Sequence, residues 1–209
     1  MIKQNLILIG AGGHVRACID VIEKINDHNI AGIVGLDIEY GTSQFGYKVI
    51  GVDSDLPKLA ISYSNALITI GQIKTPKKRI ELFNQALQAG FLFPKFIATT
   101  AYVSPHAVIG NGSIVMNGAT VNAGAVVGKN CIINSNALVE HDSIISDHCH
   151  ISTGAIINGG VRIGSGSFIG SGSVIKESIK LGENCVIGMG QSIRHNLGDN
   201  REYLGEHKH

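Results

Sequence analysis

The 209-residue chain contains no tryptophan and only four prolines, and charged residues make up 16% of it. Its formal net charge is +1. So balanced a charge gives no strong field for binding nucleic acid or an anionic membrane surface. Apolar runs are short, as in 6-LILI-9, and a membrane-spanning helix needs about 20 apolar residues. The start, MIKQNLILIGAGG, has no signal-peptide cleavage pattern, so a cytoplasmic protein is expected. The four cysteines (Cys18, Cys131, Cys149 and Cys185) form no C-x-x-C pair, so neither a zinc site nor a disulfide framework is expected, and no metal. Glycine, by contrast, is abundant at 27 residues. Such a composition points to β-structure with many tight turns.

Two periodicities divide the chain, and domains are expected at 1–98 and 99–209. The first half alternates strand and helix patterns. Asn5–Gly10 reads as a buried strand, His14–Ile25 as a helix, Ile30–Leu36 as a second strand. Tyr40–Gly46 reads as a polar loop, Tyr47–Ile50 and Ala66–Ile70 as strands, and Lys77–Ala89 as a helix with Ile80, Phe83, Leu87 and Leu82 inward. Alternation at this spacing predicts a small α/β, Rossmann-like unit.

From Val103 the period becomes six. Stepping by six to Ile193 meets an aliphatic residue at all sixteen positions. Four places after each stands a mostly small residue, such as Ala119, Ala125 or Cys131, and Gly, Asn, Ser and Asp fill the gaps. A strict six-residue repeat predicts a three-sided parallel β-helix with eighteen residues per coil. The aliphatic and the small residue point inward, and the polar places turn the corners. The fifteen hexads from 103 to 192 make a prism roughly 24 Å long at the usual strand spacing. Cys131, Cys149 and Cys185 share one place in the hexad at separations of 18 and 36, which makes them a stacked interior column rather than redox groups.

The hexads V-G-K-N-C-I, I-G-S-G-S-F and I-G-S-G-S-V resemble the left-handed parallel β-helix acyltransferases, the hexapeptide-repeat family. With 7-ILIGAGGHVRACIDVI-22, 31-AGIVGLD-37 and 139-VEHDSIISDHCHIS-152, the chain resembles the sialic-acid O-acetyltransferase/PglD-like branch. That resemblance implies an acetyl-CoA-dependent N-acetyltransferase for a nucleotide-linked amino sugar, a 4-amino-4,6-dideoxy sugar, in bacterial surface-glycan synthesis. O-acetylation of sialic acid or a related sugar is the alternative. A non-catalytic assembly protein that keeps the prism is a second one. The branch also implies a homotrimer, with acetyl-CoA in the groove between two prisms. Its G-x-P-A-[KR] tail segment is only partly present, since 203-YLGEHKH-209 keeps the glycine but not Pro-Ala.

His141 holds the third place of its hexad, an outward corner that core packing does not explain; an exposed polar turn is the plain reading. The resemblance makes it the general base, a role that suits a group titrating near neutrality. Asp142 would orient the ring and support its charged form. Gly159, eighteen residues on, would offer its N–H to the acetyl carbonyl, while also serving as a turn residue. His150, in the sixth place, is expected to face outward near the substrate groove as an oxyanion or acetyl-CoA contact, or to be a plain surface residue. His148 reads as a polar corner, and His106, His195, His207 and His209 as solvent-facing. The 10-GAGGH-14 turn suits a phosphate at a helix N-terminus, though Val15 breaks a G-x-G-x-x-G fingerprint. By resemblance Gly12, Gly13, His14 and Asp37 bind the substrate's nucleotide.

Overall fold

The computed structural model describes residues 3–205. The N-terminal unit runs β1 (Gln4–Ile9), α1 (Gly13–Ile25), β2 (His28–Gly35), β3 (Ser43–Gln44), β4 (Tyr47–Val52), α2 (Leu56–Ala60), β5 (Asn65–Ile68) and α3 (Lys77–Ala89). The sheet order is β3-β4-β2-β1-β5. All its pairings are parallel except β3 with β4, where a two-residue strand inside the expected polar loop pairs antiparallel with the start of the expected strand at Tyr47. β1 lies between β2 and β5, and its Leu6–Ile9 stretch is covered on both faces, which is why that stretch is wholly aliphatic. Leu6 and Leu8 pack with α1 residues, Ile7 and Ile9 with α3 residues. α1 ends on Asn26 at φ 60° and α3 on Gly90 at φ 102°, left-handed caps that Asn and Gly supply at least cost. α3 turns a face to the core that differs from expectation. Arg79, Leu82, Phe83 and Ala86 are buried, whereas Leu87 is 46% exposed.

The second unit is the expected prism, an α/β domain thus being followed by a parallel β-helix. Its first face runs from Phe96–Ile97 to Glu202–Tyr203, its second from Tyr102–Val103 to Ser192–Ile193, its third from Val108–Ile109 to Lys180–Leu181. Neighbours pair in parallel in a register of eighteen, as Val121 beside Val103 and Val139, until the last strand, where Val186 pairs with Glu202, sixteen residues on. Phe96–Ile97, just before the expected boundary, already pairs with Ile114–Val115. The hexad aliphatics from Val115 to Ile193 form one continuous core with the small residues of the fifth place. Each aliphatic so buried contributes about 1.5–3 kcal/mol before entropy is subtracted. The cysteine column is free, buried and satisfied: the thiols of Cys131, Cys149 and Cys185 donate to Ser146, Gly164 and Gly198 carbonyls at 3.1, 3.2 and 3.2 Å.

The two units meet along the first face. Its outward residues Ile114 and Ile132 pack with α1, Leu6 and Leu8 in one apolar cluster. Beside them the contact turns polar. Arg79, 1% exposed, donates through Nε to the Asn130 carbonyl at 3.3 Å and through Nη1 to the Ile68 and Ile70 carbonyls at 2.9 and 2.7 Å. Gln72 donates to the Gly166 carbonyl at 2.9 Å. A guanidinium thus ties the end of β5 to a prism corner. Each buried carbonyl left without a donor costs about 1–3 kcal/mol. Arg79→Ala should therefore lower stability by roughly 3 kcal/mol or more, read as a fall in thermal midpoint; an unchanged midpoint would refute the role of this contact.

Candidate active site

His141 stands on the edge between the second and third faces, between strands Leu138–Val139 and Ile144–Ile145. Its side chain is 65% exposed, so the ring points away from the prism as the hexad position requires. Asp142 follows at φ 60°, a left-handed corner that aspartate tolerates. Its Oδ2 accepts from His141 Nδ1 at 2.9 Å. Since a carboxylate only accepts, the proton sits on Nδ1 and the Nε2 lone pair is left free. The hydrogen bond to Asp142 raises the His141 pKa, favouring the protonated form of the ring. Glu140 braces the corner by accepting from the His141 N–H at 3.2 Å and from Asn122 Nδ2 at 2.9 Å.

Gly159 lies one coil further along the same edge. A Cβ placed there would stand 2.7 Å from His141 Nε2, so the ring leans over the bare glycine. Among the described residues the Gly159 N–H has no acceptor. A proton acceptor and a free N–H donor therefore border the same space. One coil earlier, a Cβ at Gly124 would meet Asp142 Oδ1 at 2.5 Å. The Asn136 side chain lies over Gly118 in the same way, so that second contact belongs to the ordinary stacking of corners. The contact of His141 with Gly159 does not.

His150 departs from expectation. It belongs to the first face and is 7% exposed, closed over by the N-terminal unit. Nδ1 donates to the Gln72 carbonyl at 2.7 Å, which fixes the tautomer, and Nε2 accepts from Asn134 at 3.2 Å. Both ring nitrogens are thus engaged within the protein. Burial pushes its pKa down to about 4. Its ring, edge-on to Phe168 at 5.2 Å, helps line a groove of about 560 Å³ on the first face, with Ile73, Lys74, Phe168, Met189 and Leu204 among the walls. Glu202 and Leu204 place the C-terminal tail in that groove without the Pro-Ala segment. Nothing in the local sequence signals the Gln72 contact, which joins residues 78 apart.

The residues expected to bind the nucleotide separate. Gly12 lines a crevice of about 240 Å³ at the C-terminal ends of the sheet strands, with Gly10, Gly35, Glu39, Asp53 and Lys78. Gly13 begins α1. His14 turns toward the prism, its ring 6.5 Å from that of His150, and burial followed by the Arg79 charge brings its pKa to about 3. Asp37 stands exposed in a single helical turn after β2. Glu39, which caps the Leu36 N–H at 2.8 Å, and the Lys78–Asp53 pair at 2.8 Å were not foreseen; their only signal is their position just beyond strand ends or at a helix start. His148 is half-buried against Phe83, while His106 and His195 are exposed as expected; His207 and His209 lie outside the described residues. A further groove of about 580 Å³ is lined by N-terminal residues alone, including Ser54, Gln85 and Gln88.

Three family descriptions match the sequence: PglD N-terminal domain over residues 5–85, bacterial transferase hexapeptide (six repeats) over 106–141, and hexapeptide repeat of succinyl-transferase over 160–194. The acetyltransferase domain of PglB from Neisseria gonorrhoeae, solved with acetyl coenzyme A, is 32% identical; the match covers 98% of this chain and 97% of that one with a TM-score of 0.89. The chain belongs to the hexapeptide-repeat sugar acetyltransferases. PerB from Caulobacter crescentus, solved with CoA and GDP-perosamine, is 30% identical over 98% of this chain and 95% of that one, with a TM-score of 0.90. WeeI from Acinetobacter baumannii, 21% identical over 97% of each chain, shares the fold at a TM-score of 0.86. No curated protein matches the sequence. Within this family of acetyltransferases, the edge carrying His141 gives two sharp tests. Gly159→Ala should displace the ring and lower kcat/KM by roughly 10²-fold with little change in thermal midpoint; full activity would refute the geometry. Asp142 raises the His141 pKa, so Asp142→Asn should lower it, and the acid limb of the kcat/KM–pH profile should move to lower pH. A shift to higher pH would contradict the assignment.

Proposed function

We propose that the protein transfers the acetyl group of acetyl-CoA to the amino group of a nucleotide-linked amino sugar. The observation that carries this reading is the exposed imidazole with Asp142 on Nδ1 and its free Nε2 against the unpaired Gly159 N–H. Residues 1–98 hold the nucleotide and residues 99–209 carry the transfer. The diphosphate lies over the turn of Gly12 and Gly13 at the start of α1, and Asp37 stands at the rim. The coenzyme arm lies in the first-face groove beside His150, whose buried, satisfied ring serves as wall rather than hydrogen-bonding partner.

In the reaction the neutral amine attacks the thioester carbonyl and a C–N bond forms. Nε2 of His141 takes the proton that nitrogen gives up, and the Asp142 carboxylate stabilises the resulting imidazolium. Gly159 donates to the tetrahedral oxyanion. The C–S bond then breaks with its electron pair on sulfur, and the imidazolium returns its proton to the thiolate.

His141 lies on the edge opposite the first face, where the groove and the N-terminal unit sit. The reading therefore assigns each site to two subunits, one giving groove and crevice, the next giving His141. Such a head-to-tail contact closes into a ring, and a three-sided prism suits a ring of three. Exposed apolar residues beside the His141 edge, Tyr102, Val108 and Val126, support burial there. The setting is the cytoplasm, where acetyl-CoA is supplied.

A panel of UDP-, dTDP- and GDP-linked 4-amino sugars tests the reading through thiol release from acetyl-CoA. His141→Ala should lose about 10²–10⁴-fold in kcat. Equal release by both proteins would sink the base assignment, and a product acetylated on oxygen with its amine intact would sink the acceptor class.

A further inference from the structure

The crevice at the C-terminal ends of the sheet strands is lined by three charged side chains, Glu39, Asp53 and Lys78. Asp53 and Lys78 are paired at 2.8 Å, and Lys78 also reaches Glu81 at 3.3 Å. Glu39 is different. Its Oε2 accepts the Leu36 N–H at 2.8 Å, and among the described residues its Oε1 makes no hydrogen bond or ion pair. The half-buried carboxylate is therefore held by the backbone with acceptor capacity to spare. Two carboxylates against one lysine make this part of the crevice repel a phosphate. Hydroxyl groups, which can donate to a carboxylate, suit it.

Gly35 fixes how close this carboxylate comes to the 10-GAGGH-14 turn. A Cβ at Gly35 would stand 2.8 Å from Glu39 Oε2 and 3.0 Å from the Ala11 side chain. The missing side chain thus lets the carboxylate close on the turn. In a nucleoside diphosphate the ribose is the group joined to the first phosphate. With the diphosphate over Gly12 and Gly13, the ribose falls beside Glu39. In sheets of this kind an acid just past the second strand accepts from ribose hydroxyls. Asp37 comes first in chain order, but it is exposed and does not line the crevice, whereas Glu39 does. We propose that Glu39 accepts from the vicinal hydroxyls of the ribose, so that the protein selects ribonucleotide-linked sugars, of the UDP or GDP kind, over 2′-deoxyribonucleotide-linked ones such as dTDP sugars. This assignment rests on the proposed nucleotide-linked acceptor and narrows its class. A ribose offers the carboxylate two donors where a 2′-deoxyribose offers one.

Calorimetry on the full chain tests this with matched pairs, UDP against 2′-deoxy-UDP and GDP against 2′-deoxy-GDP, so that the base is constant within each pair. For whichever base binds more tightly, the ribonucleotide should bind wild type about tenfold to a hundredfold tighter than its 2′-deoxy form, as one hydrogen bond to a charged acceptor provides. In Glu39→Ala the two forms should bind within about twofold of each other. Glu39→Gln, which keeps an acceptor for the Leu36 N–H but carries no charge, should give a ratio between these. Wild type that binds both forms equally overturns the assignment without recourse to any variant. A ribose preference that persists undiminished in both variants overturns it as well, and moves the hydroxyl contact to another group such as Asp37. Failure of wild type to bind any of the four nucleotides overturns the underlying reading of the crevice, a result distinct from the other two.

Discussion

The prism depends on one repeated interaction: each coil gives its backbone hydrogen bonds to the next, in a register of eighteen residues that holds from Phe96 to Ile193. Val121 pairs with Val103 and Val139, and Ile163 with Ile145 and Leu181. An inward aliphatic every six residues enforces this, because a shift of one residue would turn the core side chains out and the corners in. With the core in fixed register, corner side chains cost the fold little. His141 can therefore be 65% exposed and still be held to a definite place. Its backbone is pinned by neighbouring coils, its N–H by Glu140 and its ring by Asp142.

The second organising contact is the seam. Three histidines gather where the N-terminal unit meets the prism, beside a buried arginine with no carboxylate against it. Burial holds His14, His148 and His150 toward their neutral forms, and Arg79 donates through Nε and Nη1 to carbonyls instead of to an anion, while its Nη2 is buried without a partner among the described residues. A seam of this kind is specific in its geometry, since each partner offers one direction of approach. It sets the N-terminal crevice at a fixed attitude to the first face. The polar link from Gln72 to His150 also brings the segment carrying Ile73 and Lys74 to the wall of the groove.

The prism was almost wholly legible in the sequence, because a period of six admits one architecture and its phase says which residues point out. That phase put His141 and Gly159 on one outward edge, the family resemblance singled them out with Asp142, and the three do come together. It did not settle His150. The sixth place faces out of the prism, as read, but the space outside is occupied by another part of the chain, and no local pattern announces a contact 78 residues away. The same limit applies to His14, which follows the glycine turn in sequence yet faces the seam in space. α3 was bounded correctly, but its inward face was misjudged at Leu87, since a buried arginine is invisible to a search for apolar stripes. Glu39 and Asp53 line the crevice from short turns after strands and Lys78 from the first turn of α3, placements that hydrophobic periodicity does not carry.

Gly159 approaches His141 across the gap between two coils. The proposed base and the proposed oxyanion donor therefore belong to different turns of the solenoid, and their separation is inherited from the pitch of the β-helix. Substitutions can remove or crowd this pair, but small insertions cannot retune it without breaking the core phase. Diversification of such a catalyst toward new acceptors is thus channelled away from the reacting centre and into the α/β unit, whose loops can lengthen, shorten and change charge while the chemistry stays put.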